Sequence, residues 1–248
     1  MKPPSSAPPS SSSLPLRLLH GVLFGGFTAI CLVAGWHELE HLARTQLQPF
    51  HAGPPPRPQL ILAVLASLLG MGVVLVQAVR GRSARLYWSG LILAGMGFAI
   101  WGTHEGPVAG RSADSANLKI LLVARDLNAQ KVNELQAQGS LPEDLATWQT
   151  ALEQVSKGEP SPVRTRSFQP LPFRIQKVSS PDALPEDAPP GTLLLYVVEG
   201  GVAYELHPVG LSPTGTPWRL RAPGGEPVVF RSAYNPEAHS QGSTPGGP

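Results

Sequence analysis

Three stretches near the N-terminus contain no Lys, Arg, Asp or Glu: residues 18–36, 60–79 and 86–102. Each is close to the ~20 apolar residues that cross ~30 Å of hydrocarbon at ~1.5 Å per residue. Trp36 ends the first stretch and Trp101 lies near the end of the third, as aromatic side chains do at membrane–water interfaces. The pattern predicts three transmembrane helices rather than three core helices of a soluble protein.

The next part of the chain has the period of amphipathic helices. Residues 117–138 carry leucines and valines on one side, and Gly139 follows where a C-terminal glycine cap would lie. Ser140 and Glu143 have the spacing of a capping box for a second helix. That helix has an apolar stripe at alternating steps of four and three, formed by Leu141, Leu145, Trp148, Leu152 and Val155. We therefore predict a helical hairpin.

Beyond residues 159–162 the period changes to two, which is typical of strands. Residues 193–198 and 202–206 flank Gly200 and Gly201, a two-residue hairpin signal. Further strands are predicted at 218–221 and 228–230, with weaker ones at 163–168 and 173–178. The predicted fold class is a three-helix transmembrane anchor followed by a small α+β soluble domain, a helical hairpin and then an antiparallel sheet.

Composition divides the 248 residues in the same way. Up to residue 110 there are seven Lys/Arg and three Asp/Glu, and the remainder holds twelve and fourteen. We predict a disordered Pro/Ser tail at 1–13, a transmembrane region at 14–110, an extracytoplasmic α+β domain at 111–234 and a disordered tail at 235–248. Neither half concentrates Lys and Arg in a stripe, so nucleic acid is not an expected partner.

Basic residues also predict the orientation, since they favour the cytoplasmic side. The N-terminal tail and the turn between spans two and three hold Lys2, Arg17, Arg80, Arg82 and Arg85, against four basic residues in the opposite segments. This predicts a multi-pass protein of the cell inner membrane, with a cytoplasmic N-terminus and a periplasmic C-terminal domain. Cleavage of the first stretch as a signal peptide is an alternative that leaves the domain on the same side.

One motif carries chemistry. His37, Glu38 and His41 form His-Glu-x-x-His at the outer end of span one, where the two histidines can share a metal ion and Glu38 can act as the general base. Spans one and three run in the same direction, so His104 and Glu105 are predicted to join the metal site, with His51 as a further ligand. Such a set suits zinc, and also iron or copper. The alternative is that these are ordinary interfacial polar residues.

Two short resemblances accompany these patterns. The run His37 to His41 resembles the motif of membrane zinc proteases, although span three has no Asp that would serve as a third ligand. The run from Leu127 to Leu145 resembles the helix-to-loop passage of type IV pilins and pseudopilins, without their processing site. His207, beside Pro208, is expected at the surface.

The expected function follows from what is present. The sequence has no Gly-x-Ser-x-Gly elbow and no phosphate-binding loop, so it offers no complete catalytic set. The leading hypothesis is a non-enzymatic membrane protein whose extracytoplasmic domain binds or scaffolds an envelope component, or a second copy of itself. The alternative is a metal-binding membrane protein or zinc-dependent hydrolase that uses the His37–His41 motif.

Overall fold

The computed structural model describes residues 14–80, 86–104, 106 and 108–236. These fall into two compact units, one formed by Met1–Arg44 and Pro55–Pro107 and the other by Thr45–Pro54 and Val108–Pro248. The predicted tail at 1–13, most of the tail at 235–248, the basic turn at 81–85 and the predicted ligand Glu105 lie outside the described residues.

The first unit is a bundle of three helices. They are α1 (Leu14–Leu47), α2 (Pro58–Val79) and α3 (Leu86–His104). Near one end of the bundle Phe24 packs with Val74 and Ile92, and about two to three helical turns along the bundle Cys31 packs with Ala63 and Ala99. The residue numbers rise together in α1 and α3 and fall in α2, so α1 and α3 run parallel and α2 runs against both.

Small residues allow the helices of this bundle to approach closely. A Cβ atom on Gly95 of α3 would lie 2.9 Å from the carbonyl oxygen of Ala63, and one on Gly35 of α1 would lie 2.8 Å from that of Leu60. Close backbone approach at such positions is how helices pack in lipid, where burial of apolar surface gives little drive. Gly21, by contrast, faces open space.

Two helices of the bundle are long and apolar enough to cross a membrane, α1 from Leu19 to Leu47 and α2 from Pro58 to Val79. Only 22% of the apolar window of α1 and 33% of that of α2 is buried. Most of their leucine and valine side chains therefore face outward, unlike those of a core helix in a soluble protein. The 19-residue helix α3 is not one of the two, so the three-span anchor stays a prediction.

The second unit consists of helices followed by a mixed sheet. Its helices are α4 (Ala113–Gln138) and α5 (Leu145–Val155). Its strands are β1 (Phe50–Ala52), β2 (Val163–Thr165), β3 (Arg174–Lys177), β4 (Thr192–Val197), β5 (Ala203–Leu211), β6 (Pro217–Arg219) and β7 (Phe230–Ala233). Strands β1 and β2 form an antiparallel pair, and the main sheet has the order β3-β4-β5-β6, with β7 also pairing with β5.

The prediction of an antiparallel sheet is wrong at one strand, because β3 pairs parallel with β4. The cause is the long connection between Val178 and Gly191, which carries the chain back to the end from which β3 began; parallel neighbours require such a crossover. The connection also covers part of one sheet face, where Val178, Leu184 and Ala188 pack on Leu194 and Val209. We call this the outer face; α4 and α5 cover the other, inner face.

Of the two helix signals predicted where α4 ends and α5 begins, one is confirmed and the other is wrong. Gly139 is the C-terminal cap, at φ 79° with its N–H donating to the carbonyl of Leu135, as predicted. The predicted capping box at Ser140 is wrong, because α5 begins later and Asp144 is its N-terminal cap, accepting from the N–H of Thr147 at 2.8 Å. These hydrogen bonds hold the pKa of Asp144 below its usual value.

An element that the sequence did not predict is β1, which lies between α1 and α2 in the chain. Its residues pair with β2, and Ala52 is buried in the core of the second unit. The N–H of Phe50 donates to the carbonyl of Gly215 at 3.1 Å, and that of Gly53 to Pro162 at 3.0 Å. The segment that connects two helices of one unit is thus an integral part of the other.

Candidate functional site

The glutamate of the His-Glu-x-x-His motif holds the ends of the three helices of the first unit together. Glu38 is only 4% exposed, and its Oε2 accepts from the backbone N–H of Arg57, the N-terminal cap of α2, at 2.8 Å. The guanidinium of Arg57 donates through Nη1 to the carbonyls of Gly102 at 2.9 Å and Gly106 at 2.8 Å. We call Glu38, Arg57 and these two carbonyls the polar clasp. Sequence reasoning did not single out Arg57.

The predicted metal ligands do not share the environment of Glu38. The side chain of His37 is 86% exposed, with its Nδ1 3.8 Å from Glu40, and His104 is also exposed. His41 is half-buried. Among the described residues no group of three or more His, Cys, Asp or Glu side chains is arranged to hold a metal ion. Because Glu105 is outside that set, the zinc site of His37, His41, His104 and Glu105 stays a prediction.

His51, the further predicted ligand, belongs to the second unit. It is buried in β1, and its ring lies 5.0 Å from that of Phe168, edge to face. Burial lowers the pKa of His51, and the positive charge of Arg164 acts in the same direction. His51 is thus packed within the second unit, and its role as a metal ligand stays a prediction.

The outer face carries a charged cluster centred on Glu205. Its carboxylate lies 2.9 Å from Nε of Arg231 and 3.2 Å from Nε2 of His207. His207 is 6% exposed, so its expected surface position is wrong. Burial lowers the pKa of His207; Glu205 raises it, and the charges of Arg219 and Arg231 lower it further. Positive charge therefore exceeds negative charge at this part of the face.

Beside that cluster the outer face has a cavity of about 500 Å³. Its floor includes Val209, which is opposite Arg219 in the β5–β6 register. Around it stand Arg221 and the other lining residues, which are Pro185, Glu186, Pro217, Trp218 and Pro227. This volume is within the range of ligand sites in proteins. The alternation Trp218-Arg219-Leu220-Arg221 indicates that both arginines lie on one face of a strand, but no sequence pattern indicates the cavity.

A glutamine side chain closes the β3 edge of the main sheet. The Oε1 atom of Gln149 in α5 accepts from the N–H of Ile175 at 3.0 Å, and its Nε2 donates to the carbonyl of Phe173 at 3.3 Å. The amide therefore takes the place of a neighbouring strand.

The opposite edge is closed in the same way. The Nε2 atom of Gln136 in α4 donates to the carbonyl of Ala233 at 3.1 Å, and its Oε1 accepts from the N–H of Asn235 at 3.4 Å. Pro217 stands in β6, where it has no N–H to offer. Covered edges disfavour pairing with a further strand, so a face of this sheet is better suited to a ligand than its edges.

No protein-family model, curated protein or solved structure matches the chain.

Proposed function

We propose that this protein is a three-span membrane protein that displays its second unit on the non-cytoplasmic side, where the unit binds another envelope component. The observation that carries the proposal is the path of the chain. Strand β1 precedes α2 and α3, whereas β2 to β7 follow them, and all belong to one folded unit. One folded unit lies on one side of a membrane, so the chain must cross an even number of times between β1 and β2.

This parity supports the third span. If α2 crosses the membrane, α3 must cross it as well, and its 19 residues contain no Lys, Arg, Asp or Glu. Outward-facing Leu93, Ile100 and Trp101 on α3 are suited to a lipid environment. The Arg-rich turn between α2 and α3 favours the cytoplasmic side, which puts the second unit outside.

Binding rather than catalysis is proposed because the second unit combines a packed core and closed sheet edges with a lined cavity. The residues around that cavity are two arginines, one glutamate, a tryptophan, a valine and three prolines. This set contains groups that recognise a ligand but no adjacent nucleophile and base.

Labelling of single cysteines with a membrane-impermeant maleimide tests the topology. Cys31 is buried and is replaced by alanine to give a cysteine-free background. In spheroplasts, Gln46→Cys and Ser167→Cys are expected to be labelled, and Ser83→Cys only after the membrane is opened. Labelling of Gln46→Cys and Ser167→Cys from opposite sides would contradict the third span, and labelling of Ser83→Cys alone would contradict the orientation.

Crosslinking in intact membranes, followed by purification and mass spectrometry, tests the binding role. We expect a second copy of this chain or another envelope protein to be joined to the second unit. Recovery of the uncrosslinked protein alone, at a crosslinker dose that joins a known pair in the same membranes, would contradict the role.

A further inference from the structure

We propose that the cavity on the outer face is a site for an acidic peptide segment of a partner protein, in which a carboxylate meets Arg219 and Arg221 and a neighbouring apolar side chain meets the proline-lined walls. This inference rests on the proposed binding function and names the chemistry of its ligand.

The arginines supply the recognition of a carboxylate. The side chain of Arg219 is exposed and forms no hydrogen bond or ion pair with another described residue, so its guanidinium donors are available to a ligand. Arg221 donates from Nη1 to the carbonyl of Gly225 at 3.1 Å, which orients the guanidinium and leaves its other N–H groups. A guanidinium presents a planar fork that matches a carboxylate.

Positive charge exceeds negative charge around the cavity. The cavity is lined by two arginines and by one acidic residue, Glu186. Nearby, the carboxylate of Glu205 is already engaged by Arg231 and His207, so it does not neutralise Arg219. An anionic ligand complements this charge.

The walls select a peptide segment rather than an ion alone. Pro185, Pro217 and Pro227 form rigid apolar surface around the hollow, with Val209 at its floor and Trp218, 39% exposed, at its margin. A walled cavity of about 500 Å³ has room for two or three side chains, with a carboxylate and an apolar group side by side. A planar layer of lipid headgroups would not fill such a hollow.

The register of the sheet explains why the cavity forms here. Strand β6 ends at Arg219. The chain then forms a loop away from β5, closed by a bridge between Arg221 and Pro227, and returns to pair with β5 as β7. This loop forms one wall of the cavity, and the connection after β3 forms the other with Pro185 and Glu186. The hollow is thus a product of two irregular segments on a regular sheet.

Binding of a defined peptide to the full-length protein tests the site. The protein is placed in nanodiscs of neutral lipid, and fluorescence anisotropy follows a labelled hexapeptide of alternating glutamate and leucine. A hexapeptide with glutamine in place of glutamate is the matched ligand. We expect the acidic peptide to bind at least tenfold more tightly, and each of Arg219→Gln and Arg221→Gln to weaken it about tenfold, since hydrogen bonds between charged groups are the strong ones.

Two further variants make the test independent of folding. Arg125→Gln on α4 removes the same charge from the helix layer on the inner side and is expected to leave the affinity within about twofold. Glu186→Gln removes the opposing carboxylate and is expected to tighten binding by about twofold to fivefold, a gain that misfolding cannot produce.

Equal affinity for the two peptides, or equal losses in Arg125→Gln and Arg219→Gln, would overturn the proposal. It would also be overturned if vesicles of anionic lipid bound the protein through these arginines while the acidic peptide did not. The assay uses purified protein, so it does not depend on the side of the membrane or on a cellular partner. Failure of the maleimide labelling would reject the proposed topology without touching this result.

Discussion

The polar clasp gives the sharpest test, because it predicts that Glu38 contributes to stability, a role that its motif did not suggest. Replacement by alanine removes the acceptor 2.8 Å from the N–H of Arg57 and leaves that donor without it at the start of α2. A hydrogen bond to a charged group contributes about 1.5–3 kcal/mol, and a buried donor left unsatisfied costs a similar amount. We therefore expect Glu38→Ala to lower the free energy of unfolding by about 2–3 kcal/mol.

That loss has a measurable scale. A change of 1 kcal/mol shifts the Tm of a 150–250-residue protein by about 2–4 °C, so Glu38→Ala is expected to unfold about 5–10 °C below the wild type in mild detergent. Glu38→Gln keeps an oxygen acceptor and is expected to lose less than half as much. Glu40→Ala, two residues away, is the control, since the side chain of Glu40 is 39% exposed and pairs with His37 and Arg44 of its own helix.

The reasoning is refuted if Glu38→Ala and Glu40→Ala unfold at the same temperature. A role as general base would give a different pattern, in which Glu38→Gln abolishes activity and leaves the Tm unchanged.

Three other predictions concern the edge, the buried histidine and the metal. Gln149→Ala should lower the free energy of unfolding by about 1–3 kcal/mol and promote concentration-dependent association through β3, because the β3 edge loses its cover. Gln154, which is exposed on the same helix, provides the control, and Gln154→Ala should have neither effect. Thermal unfolding measures the first effect and size-exclusion chromatography the second. The pKa of His207 is lowered in the folded protein, so as the pH falls below ~6.5 the unfolded chain binds a proton more readily than the folded protein does, and stability falls. The drop in Tm from pH 7.5 to 5.5 should therefore be smaller in His207→Asn than in the wild type. An equal drop in both proteins would contradict the lowered pKa. If the zinc site forms, protein purified without chelators or a His-tag should hold near-stoichiometric metal that is lost in His37→Ala/His41→Ala, and background metal in both samples would reject the site.

Local signals in the sequence determined the elements with a strong period. The uncharged stretches specify helices because no alternative structure satisfies so much backbone within an apolar segment. Gly139 ends α4 because the αL conformation is open to glycine, and the Leu/Trp stripe of α5 has the spacing of one helix face. The strands on either side of Gly200 follow from alternation, although the turn between them is wider than the predicted two residues.

Only the tertiary structure decided the pairings between distant segments. Strand β1 has three residues and no period of its own, so its place beside β2 depends on contacts with residues more than a hundred positions away. The parallel direction of β3 depends on the path of a loop, and the hydrogen bond of Glu38 depends on Arg57, which folding brings to it at the start of α2. The cavity likewise needs Glu186 and Arg219 to meet across a sheet. Sequence periodicity reports the environment of a residue along its own element, whereas a site is made by neighbours that folding brings from elsewhere in the chain.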